Sequence, residues 1–144
     1  EKNAELPVNT PEDIKSEFRE AEKCFSFEAY RASSALVRST LEKVLKKNGY
    51  KSEKHGLERR IELAGEEGVI NLARSKKAHE KVKILGDDVL HDEWREVKNS
   101  EVEEALHYTQ RVIEDFYDDR VTVEKILTEK NRLVKSGEES PAKN

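Results

Sequence analysis

The sequence has one cysteine and no methionine among its 144 residues. Cys24 alone cannot form a disulfide within the chain, so nothing indicates an oxidising compartment, and we expect a cytoplasmic protein. No apolar run approaches the roughly 20 residues that a membrane span needs, and no segment resembles a signal peptide. Because Glu1 does not arise from ordinary removal of an initiator methionine, we expect a piece of a longer polypeptide or a processed end.

Aromatic residues are also scarce, at 6%, whereas charged residues reach 40% and hydrophobic residues 35%. Globular proteins typically have about 25% charged and about 45–50% apolar residues. This composition favours helices that each bury one apolar stripe and solvate the opposite face, and it disfavours a sheet buried on both sides. A chain of this length fits one domain with a buried core.

Apolar residues recur at helical spacing along the chain, and no segment alternates with the period of a strand. We therefore predict an all-α fold, an antiparallel bundle of about five to six helices. Residues 1–9 are predicted to be a flexible lead-in, residues 10–135 a single bundle domain and residues 136–144 a disordered tail. The predicted helices cover residues 11–25, 27–49, 57–64, about 70–91, 101–117 and about 123–134.

Several local features sharpen these predictions. Thr10 is the predicted N-cap of the first helix, Gly49, after the Lys46-Lys47 pair, is the predicted stop of the second, and Ser100 begins a predicted capping box with Glu103. Leu72 and Ala73 are predicted core residues of the fourth helix. Trp94 is predicted to cover one end of the bundle.

Charge is unevenly distributed, although the net charge is only −4. The basic segment, residues 43–83, has twelve Lys or Arg and six Glu, whereas residues 84–119 have three Lys or Arg and twelve Asp or Glu. Such asymmetry is often found at binding surfaces. It could present a basic face to nucleic acid, or pair the basic half of one copy with the acidic half of another. The alternative is that both are solvated faces. The candidate nucleic-acid-binding residues are Lys76, Lys77 and Lys81.

The segment ILGDDVLH, residues 84–91, places two carboxylates beside a histidine where the apolar pattern of the fourth predicted helix ends. Asp87 and Asp88 lie four and three residues before His91, so either side chain can contact the imidazole on a helix. With one nitrogen donor and no cysteine nearby, zinc binding is not expected. No phosphate-binding glycine loop or dinucleotide motif indicates a cofactor.

Two short motifs give the sequence its resemblance to a known family. One is R-x-x-L-E, within AYRASSALVRSTLEKVL, and the other is L-G-D-x-x-x-H, within ILGDDVLH. Between them lie an L-x-x-x-I pattern and a G-x-I. In this order, over about residues 11–118, they resemble the bacterial and archaeal family catalogued as domain of unknown function 4145. The residues that carry the resemblance are Arg38, Leu41, Glu42, Leu57, Ile61, Gly68, Ile70, Leu85, Gly86, Asp87 and His91.

That family is similar in pattern to the HEPN superfamily of helical bundles, many of which are metal-independent RNases of bacterial defence or toxin systems. Their R-x(4–6)-H motif supplies a histidine for proton transfer and an arginine that stabilises phosphorane charge. Here His91 is present, but Gly86 stands where the motif has arginine, and Asp87 and Asp88 bring negative charge to where a phosphate would dock.

The resemblance therefore implies a non-catalytic HEPN-like module for binding or assembly in a prokaryotic defence or restriction system. Its implied partners are a second copy of the chain or an effector protein. The alternative is a divergent metal-independent endoribonuclease that uses His91 at a dimer groove.

Three interpretations of the acidic histidine segment stay open: a structural carboxylate–histidine pair, a pocket that binds a nucleotide, nucleic acid or peptide without chemistry, and catalysis with Arg38 or a partner protomer's arginine. We predict that Arg38 faces Asp87 or Asp88 across the bundle; the alternative is a surface arginine paired with Glu42. His91 is the candidate catalytic residue. The candidate binding residues are Arg38, Glu42, Asp87, Asp88, His91, Lys76, Lys77 and Lys81.

Overall fold

The computed structural model of the chain describes residues 3–85, 94 and 96–134, and the regular secondary structure in these ranges is entirely helical. The all-α prediction is confirmed, with one helix more than expected. None of the helices in the described ranges is both long and apolar enough to cross a membrane. The predicted tail, residues 136–144, lies outside the described residues. The helices are α1 (Glu12–Ser26), α2 (Tyr30–Lys47), α3 (Leu57–Glu66), α4 (Leu72–Lys76), α5 (Ala78–Ile84), α6 (Asn99–Tyr117) and α7 (Arg120–Glu129).

The core lies where α1, α2 and α6 pack together, with α3, α5 and α7 closing its sides. Each of these helices buries residues three or four apart, which is the spacing of one helical face. The predicted apolar stripes of the three central helices are confirmed. The residues they bury include Ile14, Phe18, Ala21, Val37, Leu41, Val44, Leu45, Val102, Ala105, Val112, Ile113 and Phe116.

The end of α2 is fixed by Gly49, as its position after two lysines predicts. Its φ of +89° lies in the left-handed region that favours glycine, and the following residue, Tyr50, donates its N–H back to the carbonyl of Leu45 at 2.9 Å. A Cβ at this position would also lie 2.3 Å from the carbonyl oxygen of Arg132. Gly49 therefore both ends the helix and lets the C-terminal segment approach it.

The predicted helix over 70–91 is wrong as a single element, because the chain breaks at Lys77 between α4 and α5. The carbonyl of Arg74 accepts hydrogen bonds from the N–H of Lys77 at 3.1 Å and from the hydroxyl of Tyr108, on α6, at 2.9 Å. This tight turn shifts the buried face. Leu72 is 52% exposed and Ala73 is also exposed, whereas Ser75 and Ala78 are buried in their place.

Both predicted N-terminal caps are displaced. Pro11 occupies the N-cap position of α1, and the hydroxyl of Thr10 is buried instead of capping the helix. At the start of α6 the carboxylate of Glu101 accepts the backbone N–H of Lys98 at 3.0 Å. The reach-back geometry of a capping box is thus present, but it begins two residues before Ser100.

Trp94 does not cover the end of the bundle, contrary to the prediction, since its side chain is 74% exposed. The buried apolar residues that follow it in the sequence belong to a separate cluster. Val97 and Val102 are buried in a small second cluster, where Phe25 and Tyr30 pack against them.

Candidate functional site

Arg38 reaches from α2 to the end of α5, where its Nη1 donates to the backbone carbonyl of Leu85 at 3.2 Å. Its Nη2 lies 3.8 Å from the carboxylate of Glu42, one turn further along α2. Leu85 is the first residue of the L-G-D-x-x-x-H motif, so this contact joins the two sequence motifs in space. Asp87, Asp88 and His91 lie outside the described residues, and a contact between them and Arg38 stays a prediction.

Glu42 links Arg38 to a second arginine, Arg60 of α3. The Nη2 of Arg60 donates to Oε1 of Glu42, while Oε2 is the oxygen nearer to Arg38. The side chain of Arg60 is only 3% exposed. Its Nε donates to the carbonyls of His55 at 2.9 Å and Gly56 at 3.3 Å, so one buried guanidinium binds both α2 and the loop before α3.

Arg60 was missed by the reasoning from sequence, although the sequence carries a signal for it. It lies three residues after Leu57 and four before Ala64, which places it on the apolar face of α3. A charged residue on a buried face needs a partner. In this fold the partner is Glu42, which brings a residue of the R-x-x-L-E motif into contact with α3.

The three candidate lysines for nucleic-acid binding are not equivalent. Lys76 and Lys77 are exposed, and Lys81 is half-buried with its Nζ 3.5 Å from the carboxylate of Glu104 on α6. Lys77 and Lys81 line one groove, whereas Lys76 is not among the residues that form it. The structure therefore brings two of the three together.

The basic segment is partly neutralised by acidic groups of neighbouring helices. Within the part of the chain that the structure describes, six of its twelve cations form ion pairs, with acids of α1, α2, α3 and α6. Apart from the pair of the buried Arg60 with Glu42, these pairs lie at or near the surface. Since exposed ion pairs contribute only about 0–1 kcal/mol each, their main effect is on the surface potential. The pairs are Lys43–Glu17, Lys47–Asp13, Arg59–Glu62 and Arg59–Glu66, Arg60–Glu42, Arg74–Asp115 and Lys81–Glu104.

A groove of about 600 Å³ lies between the α4–α5 turn and α6, and we call it the α4–α6 groove. Three contacts show that its two walls are antiparallel. Arg74 pairs with Asp115, the carbonyl of Arg74 accepts from Tyr108, and Lys81 pairs with Glu104, so residue numbers rise on one wall as they fall on the other. The residues that line it are Asn71, Ala73, Arg74, Lys77, Lys81, Glu103, Glu104, His107, Tyr108 and Arg111.

Two residues at one end of the groove, Asn71 and Arg74, are held by a polar contact with Asp115 of α6. The carboxylate of Asp115 accepts from Nη1 of Arg74 and from the backbone N–H of Asn71. Burial raises the pKa of Asp115, and the adjacent guanidinium offsets this only in part. Burial likewise raises the pKa of Tyr108 to about 12, so this phenol stays protonated and keeps donating to the Arg74 carbonyl. This end of the groove is therefore held in one geometry.

The described residues include three histidines, His55, His79 and His107. Of the three histidines described, His79 alone has a side-chain partner, with its Nδ1 2.7 Å from the carboxylate of Glu58; His79 is exposed and Glu58 is half-buried. His107 lies on the groove wall and His55 in the loop before α3. No three His, Cys, Asp or Glu side chains of the described ranges stand where they could share a metal ion.

Comparison with known proteins identifies one family. A family model described as "Domain of unknown function (DUF4145)" matches residues 19–137, which contain both sequence motifs and all helices from α2 to α7. No curated protein and no solved structure matches the chain. The match covers more than half of the chain, and the chain therefore belongs to the DUF4145 family.

Proposed function

We propose that the chain is a non-catalytic HEPN-like module that binds a ligand or partner protein in a prokaryotic defence or restriction system. It acts in the cytoplasm as a homodimer or beside an effector protein, and the basic segment is its candidate contact with nucleic acid. The proposal applies what the family resemblance implies to a chain in which Gly86 stands in place of the arginine of the R-x(4–6)-H motif.

The engagement of Arg38 is the observation that supports this proposal most directly. An arginine that stabilises a phosphoryl transition state must direct its guanidinium at the reacting phosphate. Arg38 instead donates to the carbonyl of Leu85 and lies beside the carboxylate of Glu42. A carboxylate at 3.8 Å also disfavours a second anion at the same place. The contacts of Arg38 are those of a residue that joins two helices.

Nuclease activity provides the first test. Purified protein, its His91→Ala variant and a His55→Ala control, which changes an exposed loop residue outside the groove, are incubated with mixed RNA in the presence of EDTA, and the RNA is analysed by denaturing electrophoresis. We expect all three to leave the RNA intact. Cleavage by the wild type that disappears in His91→Ala but persists in His55→Ala would replace this proposal with the divergent endoribonuclease.

Oligomeric state is measured separately, by light scattering over a range of protein concentrations. A mass of twice 16.6 kDa supports the homodimer. A monomer at every concentration contradicts the homodimer and leaves the effector protein as the proposed partner.

A further inference from the structure

The chain contains one Asn-Gly dipeptide, Asn48-Gly49, at the end of α2. In such a pair the backbone nitrogen of the glycine can attack the side-chain carbonyl carbon of the asparagine, because glycine has no Cβ to hinder the approach. A C–N bond forms, the side-chain nitrogen leaves as ammonia, and the product is a cyclic imide. Water then opens the imide at either carbonyl, which leaves aspartate or isoaspartate. Asn48 is therefore the asparagine at which deamidation meets the least steric hindrance.

The fold holds the carboxamide of Asn48 in place. The side chain is fully buried, and its Nδ2 donates to the carbonyl of Val44 at 2.7 Å and to the hydroxyl oxygen of Tyr117, on α6, at 2.9 Å. Its Oδ1 accepts from Nη1 of Arg120, on α7, at 2.7 Å. Both amide hydrogens and the carbonyl oxygen are thus engaged, so the carboxamide cannot turn toward the backbone without breaking hydrogen bonds.

The attacking nitrogen, that of Gly49, is held as well. The ψ of Asn48 is 16°, so this nitrogen lies nearly eclipsed with the backbone nitrogen of Asn48 and turned away from its side chain. Its N–H donates to the carbonyl of Lys46 at 3.2 Å. The backbone of Arg132 packs so closely over Gly49 that a Cβ there would lie 2.3 Å from the Arg132 carbonyl oxygen. Ring closure therefore requires a backbone rotation that breaks the end of α2.

The contacts that hold Asn48 connect it to an edge of the bundle. Tyr117 is the last residue of α6 and Arg120 the first of α7. The ten-residue helix α7 has only two buried residues, Val123 and Leu127. Segments with few buried apolar contacts open at a lower free energy than the whole fold. Movement of α7 would withdraw Arg120 from Asn48 while the core between α1, α2 and α6 stays packed.

We propose that Asn48 is a deamidation site that the fold keeps closed, and that it reacts when its contacts with Tyr117 and Arg120 open locally. The reaction cannot be reversed, because the ammonia is lost. An aspartate at this position still pairs with Arg120, but it presents an oxygen to the carbonyl of Val44 in place of a donor. An isoaspartate adds a carbon to the backbone beside Gly49. Each event therefore weakens the end of α2, whichever ligand or partner the chain binds.

The first test compares the folded chain with the unfolded chain. Wild-type protein is incubated at mildly alkaline pH in buffer and in concentrated urea, and peptide mass spectrometry measures the replacement of the Asn48 amide by a carboxyl group. We expect the reaction to be at least roughly tenfold slower in the folded protein. Equal rates in the two conditions would show that the fold does not close the site, and would overturn the proposal.

Variants assign the closure to the two contacts. Tyr117→Phe removes one hydroxyl and keeps the ring, and Arg120→Ala removes the charged donor, so both should accelerate deamidation in buffer, Arg120→Ala by roughly tenfold or more. Arg111→Ala is the matched control, since Arg111 is an exposed arginine of α6 that pairs with Glu114, and it should leave the rate unchanged. No acceleration in Tyr117→Phe, or equal acceleration in Arg111→Ala, contradicts the assignment.

A last comparison separates local opening from global unfolding. Gly65→Ala introduces a Cβ that would lie 2.3 Å from the Cβ of Ser75, and so destabilises the fold at the contact between α3 and α4. Tyr117→Phe and Gly65→Ala are brought to the same free energy of unfolding with urea, and their deamidation rates are measured. We expect Tyr117→Phe to react faster. Equal rates would show that Asn48 reacts only through global unfolding, which overturns the local opening.

Discussion

Arg60 is a cation buried almost completely among polar partners. Its guanidinium donates to Glu42 and to backbone carbonyls of the loop between α2 and α3, among them those of His55 and Gly56. Burying a charge is costly unless it is paired and hydrogen-bonded. The Arg60 guanidinium is both paired with a carboxylate and hydrogen-bonded to the loop. It therefore fixes the loop and orients Glu42, which in turn positions Arg38.

Replacing Arg60 by leucine should therefore destabilise the protein. The change removes the guanidinium that donates to Oε1 of Glu42 and to the carbonyl of His55, and we expect the free energy of unfolding to fall by about 2–4 kcal/mol. Urea denaturation followed by circular dichroism measures it. Arg59→Leu is the matched control, since Arg59 is exposed and pairs only at the surface with Glu62 and Glu66. An equal loss in both variants would show that burial of Arg60 is not the cause.

At the scale of elements, α3 and α4 approach closely because Gly65 has no side chain. A Cβ there would lie 2.0 Å from the hydroxyl oxygen and 2.3 Å from the Cβ of Ser75, which is itself buried on α4. The hydroxyl of Ser75 donates to the carbonyl of Leu72 at 2.8 Å, so it is not free to turn aside without losing that bond. The crossing of α3 and α4, and with it one wall of the α4–α6 groove, depends on this glycine.

Gly65→Ala should thus force α3 and α4 apart, lowering the free energy of unfolding by about 1–3 kcal/mol. Gly56→Ala serves as the control, because a Cβ at Gly56 meets no atom within 4 Å and its φ of −68° suits any residue. Thermal or urea unfolding of the two variants gives the comparison. Adding Ser75→Gly to Gly65→Ala should restore most of the lost stability. A double variant no more stable than Gly65→Ala alone would contradict the contact.

At the scale of the whole molecule, the segment after α7 contacts the α2–α3 loop at Tyr50 and the end of α3 at Glu67. Arg132 donates to both carboxylate oxygens of Glu67, at 3.0 and 2.7 Å, and its guanidinium lies 4.3 Å from the centre of the Tyr50 ring. The hydroxyl of Tyr50 donates to the same carboxylate at 2.8 Å. This three-residue cluster closes the fold between chain segments that are far apart in sequence.

The cluster makes stability depend on pH. Burial alone would raise the pKa of Glu67, but hydrogen bonds from Arg132 and Tyr50 outweigh it and hold the pKa below its ordinary value of 4.5. Because the folded-state pKa is the lower one, the carboxylate stabilises the fold above pH 4.5, and this contribution is lost as the pH falls through the folded-state pKa.

Glu67→Gln should accordingly be less stable than the wild type at neutral pH, and the difference should shrink between about pH 5 and about pH 3. The free energy of unfolding, measured by denaturant titration at several pH values, tests this. Glu66→Gln removes an adjacent, exposed carboxylate and should show little such change. A difference between Glu67→Gln and wild type that stays constant over this range would rule out the titration of Glu67 as its cause.

The amino-acid sequence by itself determined the all-α class, the buried stripes of α1, α2 and α6 and the end of α2 at Gly49. These features depend on residues that are close together in the sequence. Apolar residues repeated every 3.6 positions indicate which face of a helix is buried, and a glycine indicates where the backbone can adopt a left-handed turn. The R-x-x-L-E and L-G-D-x-x-x-H motifs were likewise sufficient to indicate the family, which the match to the family model then showed.

Only the tertiary structure decided which polar groups meet. The break at Lys77 accompanies a hydrogen bond from Tyr108, more than 30 residues away, to the carbonyl of Arg74. Arg38 contacts the carbonyl of Leu85, and Arg60 reaches Glu42 from another helix. The spacing of residues in a helix indicates on which face a polar residue lies. The partner of that residue depends on how helices that are distant in the sequence cross. The α4–α6 groove exists for the same reason, since its walls come from chain segments that only the fold brings together.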